Sequence, residues 1–285
     1  MLDYIERFIL SNKIQPEVII EPFAGSAAIS LGLLALNKVK KALLNDIDPF
    51  ITSFWRAVFE YNDELVSKIE EVDVTLEMYK LLKQHMRENK QSTNNENIVE
   101  NALTFLFINR TNFSGIIKGG PLGGIAQRSK YKIDCRFNKK DIVSRIRWLR
   151  QFKGRVEVYN EDGIDFLKKI VKQNWSSNLL LYIDPPYYNS GKYLYNYYFT
   201  DEEHNQLASL LSMIEQPWLL SYDDSEFIKH LYQRDNIYTD TCVKIRRKCT
   251  ISSSKRRMVE FLFSNHPLPP LGRLELFLTL PRESR

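Results

Sequence analysis

The residues best equipped for chemistry are the run Asp184-Pro185-Pro186-Tyr187. Two prolines in succession cannot continue a sheet, and their fixed φ makes a rigid turn at its edge. Such a turn leaves a carboxylate, a backbone carbonyl and an aromatic ring in fixed positions beside a ligand. The plainer alternative is a proline-stiffened strand exit with a packed tyrosine. A second run, Glu21-Pro22-Phe23-Ala24-Gly25-Ser26, follows the apolar stretch Val18-Ile19-Ile20. Small residues at the end of a parallel strand let a ligand approach the backbone closely; an ordinary tight turn would read the same. A third feature is Asp46, after Ala42-Leu43-Leu44. An acid at that strand end is placed to accept hydrogen bonds from ribose hydroxyls. Asp48 is a neighbouring alternative, and either acid could instead serve a turn or cap the helix that begins at Pro49. Together the second and third features point to a nucleoside ligand. The absence of a full G-x-G-x-x-G argues against a nicotinamide dinucleotide.

These residues need strands to hold them. The first apolar run, its turn, a helical pattern over 27–36 and the second apolar run form a β–turn–α–β unit, the opening of a doubly wound sheet. Val156–Tyr159 reads as a strand, Gly163–Lys172 as a helix, and Leu179–Ile183 as the most apolar strand of the chain. A helix over 201–214 has an acidic first turn, which suits the helix dipole. Residues 218–221 make another strand, and 241–248 with 257–264 an antiparallel pair that closes the sheet. Residues 50–108 look helical, with a polar break at 91–97 that reads as a loop. Residues 109–135 are Gly-rich and basic without a helical period, so they read as loops and short hairpins; 138–152 return to a helix. No internal repeat is visible. The predicted architecture is α/β: a parallel core from residues 1–51 and 151–285, split by a mainly helical insert at 52–150.

Composition narrows the class. The chain is 44% hydrophobic and 26% charged, ordinary for a soluble globular protein, and no stretch of about 18 apolar residues predicts a membrane span. Asp3 and Glu6 come early and no small-residue cleavage site follows, so no secretory signal is expected. Cys135, Cys242 and Cys249 form no CxxC pair and no metal-ligand cluster with the histidines. They read as reduced thiols of a cytoplasmic protein without a metal. The net charge of +5 is unevenly spread: residues 110–155 hold thirteen Lys or Arg against Asp134 and Asp141, and 244–257 hold seven with no acid. Two such runs suit a polyanionic partner, because neutralised phosphates release counterions. Two solvated basic faces are the alternative.

With these features in place, the sequence resembles the Dam-like, D12 class of DNA adenine-N6 methyltransferases. Glu21–Ser26 is similar to that family's cofactor loop, Leu44-Asn45-Asp46-Ile47-Asp48 to its ribose-binding strand end, and Asp184–Tyr187 to its catalytic DPPY. Asn109-Arg110-Thr111-Asn112-Phe113-Ser114-Gly115 is similar to a segment of its recognition insert. Arg247 to Asn265, ending Val259-Glu260-Phe261-Leu262-Phe263-Ser264-Asn265, resembles its closing hairpin. The likeness covers most of 18–265, and the combination is far more specific than any one piece.

The resemblance implies a Rossmann-like methyltransferase sheet, S-adenosylmethionine as cofactor, double-stranded DNA as partner and a mechanism. The adenine amine is a poor nucleophile because its lone pair is delocalised into the ring. Asp184 and the Pro185 carbonyl would accept its two hydrogens, with Pro186 completing the turn, and aim the lone pair at the sulfonium methyl. Losing one preorganised group of this kind costs about 3–4 kcal/mol of barrier. The base must first leave the duplex, at a cost of a few kcal/mol. Stacking on Tyr187, with Tyr188, Tyr198 or Phe199 as further candidates, would offset that by roughly 1–3 kcal/mol per base. The aromatic segment 193–199 could equally pack against the sheet. Glu21, Phe23, Ala24, Gly25, Ser26 and Asp46 would bind cofactor. Asp162 would meet the cofactor's adenine or, alternatively, cap the helix from Gly163. In the insert, Arg110, Asn112, Lys118, Arg128, Lys130 and Lys132 are candidates for phosphate or guanine contacts. The loop at 119–124 either lets backbone approach DNA or is simply flexible.

One departure bears on activity. Family members carry a Gly-Lys-containing loop ahead of the first helix, which helps hold the cofactor's methionine end; this sequence opens Met1-Leu2-Asp3-Tyr4 at that helix. The resemblance then implies a truncated start, a second chain that supplies the loop, or weak cofactor binding. The competing readings are a DNA-binding module of the same fold without strong catalysis, and methylation of another amine: adenine in RNA, cytosine N4 or a protein glutamine.

Overall fold

The structure, a computed structural model, describes residues 1–89, 97–173, 178–189, 191, 196–233, 237, 245–248 and 257–270. In chain order its elements begin α1 (Leu2–Ser11), β1 (Val18–Glu21), α2 (Ala28–Ala35), β2 (Lys41–Asn45), α3 (Pro49–Glu60), α4 (Asn62–Glu71), α5 (Leu76–Glu88) and α6 (Ile98–Thr111). They continue α7 (Lys139–Leu149), β3 (Val156–Tyr159), α8 (Gly163–Lys172), β4 (Leu179–Ile183), α9 (Asp201–Leu211), β5 (Trp218–Asp223), α10 (Glu226–Tyr232), β6 (Ile245–Lys248) and β7 (Arg257–Ser264). The chain divides into two compact units: Met1–Leu44, Asp162–Lys192 and Tyr198–Arg285 in one, Asn45–Glu161 and Tyr193–Tyr197 in the other.

The first unit is built on strands in the order β2-β1-β4-β5-β7-β6. β1 pairs in parallel with β2 (Ile20↔Leu43) and with β4 (Ile20↔Leu181), and β4 in parallel with β5 (Ile183↔Leu220). β7 then runs antiparallel to β5 and to β6. This is the expected α/β sheet, parallel at its centre, with its closing antiparallel pair. Its central strands are mostly apolar because helices cover both faces of a parallel sheet. Every residue of β1 and of the Leu-Leu-Leu-Tyr-Ile strand β4 is buried. α1 lays Tyr4, Ile5, Phe8 and Ile9 inward. It crosses α2 so closely that a Cβ on Gly32 would lie 2.6 Å from Leu2. A Thr200–Glu203 capping box starts α9, as the sequence favours. The helix ends at Leu211, short of the expected 214. α10 has no counterpart in the sequence reading.

The second unit is mainly helical. α3 starts at a Pro in its first turn behind Asp48, whose carboxylate accepts the Phe50 N–H at 3.0 Å. α3 and α5 pack on α6, and α4 on α7; Phe54 meets Phe105 across the first of these contacts at 5.6 Å. The break expected at 91–97 falls, except for Asn97, outside the described residues. Among the described residues no helix is long and apolar enough to cross a membrane. None of their His, Cys, Asp and Glu groups could hold a metal ion. Cys135 is an exposed free thiol; Cys242 and Cys249 lie outside the described residues.

Candidate active site

β1 sits between β2 and β4, so the chain leaves it first to one side and later returns on the other. Open α/β sheets bind ligands outside the carboxyl ends of the strands at such a reversal. Two of the sequence motifs emerge there: Glu21 ends β1 and begins the Pro22–Ser26 loop, and Asp184 directly follows β4.

The loop after β1 turns through left-handed backbone at Gly25 (φ 45°) and Ala27 (φ 47°), with the Ala27 N–H donating to Ala24 O at 2.6 Å. Gly25 meets that geometry without a Cβ penalty, whereas at Ala27 it is strained. A Cβ built on Gly25 would meet nothing within 4 Å among the described residues. Glu21 is only 2% exposed, and its Oε1 accepts the Ser30 N–H at 2.6 Å. Ser30 lies in the first turn of α2, whose Ala27 cap offers no side-chain acceptor. Glu21 therefore caps α2 from the preceding strand, where the helix dipole favours an anion. Burial nonetheless dominates and pushes its carboxyl up to about 7; the Ser30 bonds pull it down and the charge of Asp184 adds to the rise.

Phe23 packs its ring against the start of α8. A Cβ on Gly163 would fall 2.2 Å from that ring. Phe199 meets Phe23 edge-on at 5.5 Å. Asp162 caps α8, its Oδ1 accepting from Ile164 N (2.9 Å) and Asp165 N (3.0 Å), the helix-cap alternative raised by the sequence. Asp46 and Asp48 belong to the second unit. Asp46 Oδ1 accepts the Asp48 N–H at 2.9 Å, and Asp48, besides capping α3, accepts from Asn196 Nδ2 at 3.0 Å.

Asp184 is half-buried, Pro186 likewise, while Pro185 and Tyr187 are buried. β5 supports this turn through residues that the sequence reading passed over. Ser221 Oγ donates to Asp184 Oδ1 at 2.7 Å, and Tyr182 OH lies 3.2 Å from Ser221 Oγ. Asp223 accepts the N–H groups of Tyr188 and Asn189, both at 2.9 Å, one on each carboxylate oxygen. Its carboxyl is still raised by burial, against the pull of those bonds. The Tyr188 ring stacks on Phe227 at 4.6 Å and 23°, beside His204. His204 is 1% exposed, with Nδ1 2.6 Å from Tyr222 OH. Burial pushes its pKa down to about 4, so it is a neutral packing group at pH 7. Tyr188 and Phe199 are thus engaged in packing, and Tyr198 is exposed; Tyr193 and Tyr195 lie outside the described residues. The available signal was the pair of polar residues two apart on an apolar strand, which ends at Asp223 rather than at 221.

In the second unit the basic loop is folded back on itself. Lys118, Arg128, Lys130 and Lys132 are exposed. Arg110 is half-buried and its Nε donates to Arg136 O at 3.0 Å. Asn112 corrects an expectation. It is fully buried: its Oδ1 accepts from Tyr79 OH at 2.8 Å and its Nδ2 donates to the Ile116 (2.6 Å) and Ile117 (3.1 Å) carbonyls. An amide so spent shapes the loop and is not available to DNA. Gln127 does similar work further on, donating to the Leu122 and Gly124 carbonyls and accepting from Ile133 N. Most of the second basic run, 244–257, lies outside the described residues.

Comparison with known proteins gives this geometry a lineage. The chain is 22% identical over 268 residues to the Type II methyltransferase M.MjaIII of Methanocaldococcus jannaschii, covering 87% of this chain and 88% of the relative. Among solved structures it is similar to a protein of Pyrococcus horikoshii assigned as an RNA methyltransferase (10% identity, TM-score 0.42, 92% of this chain and 80% of the other). It is also similar to an rRNA methyltransferase of Streptomyces viridochromogenes (11% identity, TM-score 0.34, 93% and 83%). Residues 1–244, which hold both the loop after β1 and the Asp184 turn, match the D12 class N6 adenine-specific DNA methyltransferases, and the chain belongs to that family.

Proposed function

We propose that this protein transfers a methyl group from S-adenosylmethionine to N6 of adenine in double-stranded DNA. The observation that carries the reading is the Asp184 turn at the carboxyl end of β4, next to the loop that leaves β1 where the strand order reverses. The surroundings suit a cationic nucleoside donor. The charge of Asp184 adds to the cost of ionising Glu21. Burial outweighs the Ser30 hydrogen bonds to the Glu21 carboxylate, so a cationic ligand beside it would favour its ionised form. No described residue stands within 4 Å of a Cβ built on Gly25, which suits close approach of a ligand to the backbone.

S-adenosylmethionine supplies a methyl activated by its sulfonium. In this reading Glu21 and residues 23–26 hold the donor, Phe23 and the Asp162 cap flank its adenine, and Asp46, the residue after β2, meets its ribose. Asp184 and the Pro185 carbonyl accept the amine hydrogens of the target base, so its lone pair is localised and directed. The nitrogen–carbon bond forms as the sulfur–carbon bond breaks, and one amine hydrogen leaves as a proton. Tyr187 offers the stacking ring. The exposed Lys118, Arg128, Lys130 and Lys132, with Arg110, contact phosphates or guanine. A place in a restriction–modification pair is the biological counterpart, readable by sequencing modified DNA from cells that express the protein.

The test is transfer of labelled methyl to duplex DNA followed by mass spectrometry of the nucleosides. N6-methyladenine is expected, and Asp184→Ala should lower the rate by about 10²–10³, as for loss of one preorganised hydrogen-bonding group. Label on cytosine or on RNA alone would replace the substrate assignment. A wild-type rate from the Ala variant would exclude the mechanism.

A further inference from the structure

We propose that Tyr182, Ser221 and Asp223 are positioning residues that fix the Asp184 turn from the neighbouring strand, by a polarised hydroxyl chain on the carboxylate and a two-point clamp on the backbone after it. The inference rests on the reading of Asp184 as the acceptor for the target amine.

The direction of the chain follows from donor counting. An ionised carboxylate only accepts, so the single hydroxyl hydrogen of Ser221 is committed to Asp184 Oδ1 at 2.7 Å. The Tyr182 hydroxyl, 3.2 Å away, must then donate to the Ser221 oxygen. The two donors are enclosed: Tyr182 is 3% exposed and Ser221 0%. In such surroundings a donor chain ending on a carboxylate strengthens each link and fixes its rotamer.

The clamp follows from strand geometry. Side chains two residues apart on a strand share a face, so Ser221 and Asp223 both address the exit of β4. Asp223 gives one oxygen to each of two successive N–H groups, Tyr188 and Asn189. The stack of Tyr188 on Phe227 holds the same segment from its side chain. The turn is therefore gripped on its carboxylate and again just beyond Tyr187. All three are buried, Asp223 at 6% exposed, so their contribution is to keep the acceptors in place before the base arrives.

Kinetics of the full-length protein test the chain. Ser221→Ala, a near-isosteric change, should lower kcat about 10- to 100-fold with KM for cofactor and DNA within about twofold. Tyr182→Phe should lower it less, and the double variant should fall by less than the product of the two single effects, because the two hydroxyls are coupled through their hydrogen bond. A wild-type kcat for Ser221→Ala, or additive effects in the double variant, overturns the chain. Amide hydrogen exchange tests the clamp without any activity: Asp223→Asn should speed exchange at Tyr188 and Asn189 by about tenfold or more, and unchanged rates overturn it. If the wild-type protein transfers no methyl to DNA, the functional reading fails. The rotamer claim is then judged by whether Ser221→Ala changes the Asp184 carboxyl resonance, an unchanged signal overturning it.

Discussion

Replacing Glu21 with Gln should stabilise the protein at alkaline pH and do progressively less as the pH falls. The reason lies in burial. Glu21 is 2% exposed and its carboxyl is lifted from 4.5 to about 7, with desolvation the largest cause. A group whose pKa is raised by folding holds its proton more tightly folded than unfolded. Stability therefore falls as pH rises from the unfolded value near 4.5 and levels off above the folded value near 7. At about 1.4 kcal/mol per unit, the full penalty is about 3 kcal/mol above roughly pH 8 and about 1 kcal/mol or less at pH 5. Gln removes the titration and still offers an oxygen to the Ser30 N–H, so the α2 cap survives. The assay is urea unfolding of wild type and variant at pH 5 and 8.5, read as the separation of their midpoints. A difference between midpoints is the right observable because a chain of two units need not unfold in one step. At about 1–3 kcal/mol per molar urea, the separation should grow by about 1 M or more across that range. A separation that stays constant with pH, or a variant that is the less stable at pH 8.5, would refute the reasoning.

Two further outcomes follow from packing. Gly163→Ala should cost about 1–3 kcal/mol as an overpacked site, offset in part by about 1 kcal/mol of helix propensity, because the new Cβ would fall 2.2 Å from the Phe23 ring. Calorimetry should also find weaker cofactor binding, since the ring that must move belongs to the loop after β1. Asn112→Ala should lower the melting temperature through loss of about 1–3 kcal/mol for buried partners left unpaired, and in gel-shift titrations it should weaken DNA binding by disordering the loop while leaving the salt slope unchanged, since no phosphate contact is removed.

How much of this was legible in the sequence depended on how local the cause was. Strand β4 declared itself because five consecutive buried apolar residues have few other solutions. Asp162 was one candidate cap and the acidic residues from Asp201 suited a first turn, and helices begin at Gly163 and Asp201. The placement of the loop after β1 beside the Asp184 turn followed from the rules of doubly wound sheets. What was not legible was long-range hydrogen bonding. Ser221 and Asp223 look like ordinary polar residues on a strand; their partners lie 37 and 35 or 34 residues away. Asn112 stands in a run of basic and polar residues that reads as a recognition surface, yet Tyr79, 33 residues earlier, draws it inward. Glu21 looked like a ligand residue, and it also caps a helix.

If Glu21 binds the donor as well as capping α2, its ionisation has effects of opposite sign on the free and the bound protein. As a capping carboxylate in a dry place, beside the charge of Asp184, it costs stability once ionised. A bound cation would repay that cost, since it favours the ionised form. The proposed donor carries such a charge, so its affinity should rise with pH through the region near 7 and Glu21→Gln should flatten the dependence. The same substitution should then stabilise the ligand-free protein at pH 8 and weaken its hold on S-adenosylmethionine. A purely structural Glu21 predicts only the first of these. Calorimetric titrations at pH 6 and 8 on both proteins separate the two cases: equal pH dependence in wild type and variant removes Glu21 from the donor site and leaves it as a cap.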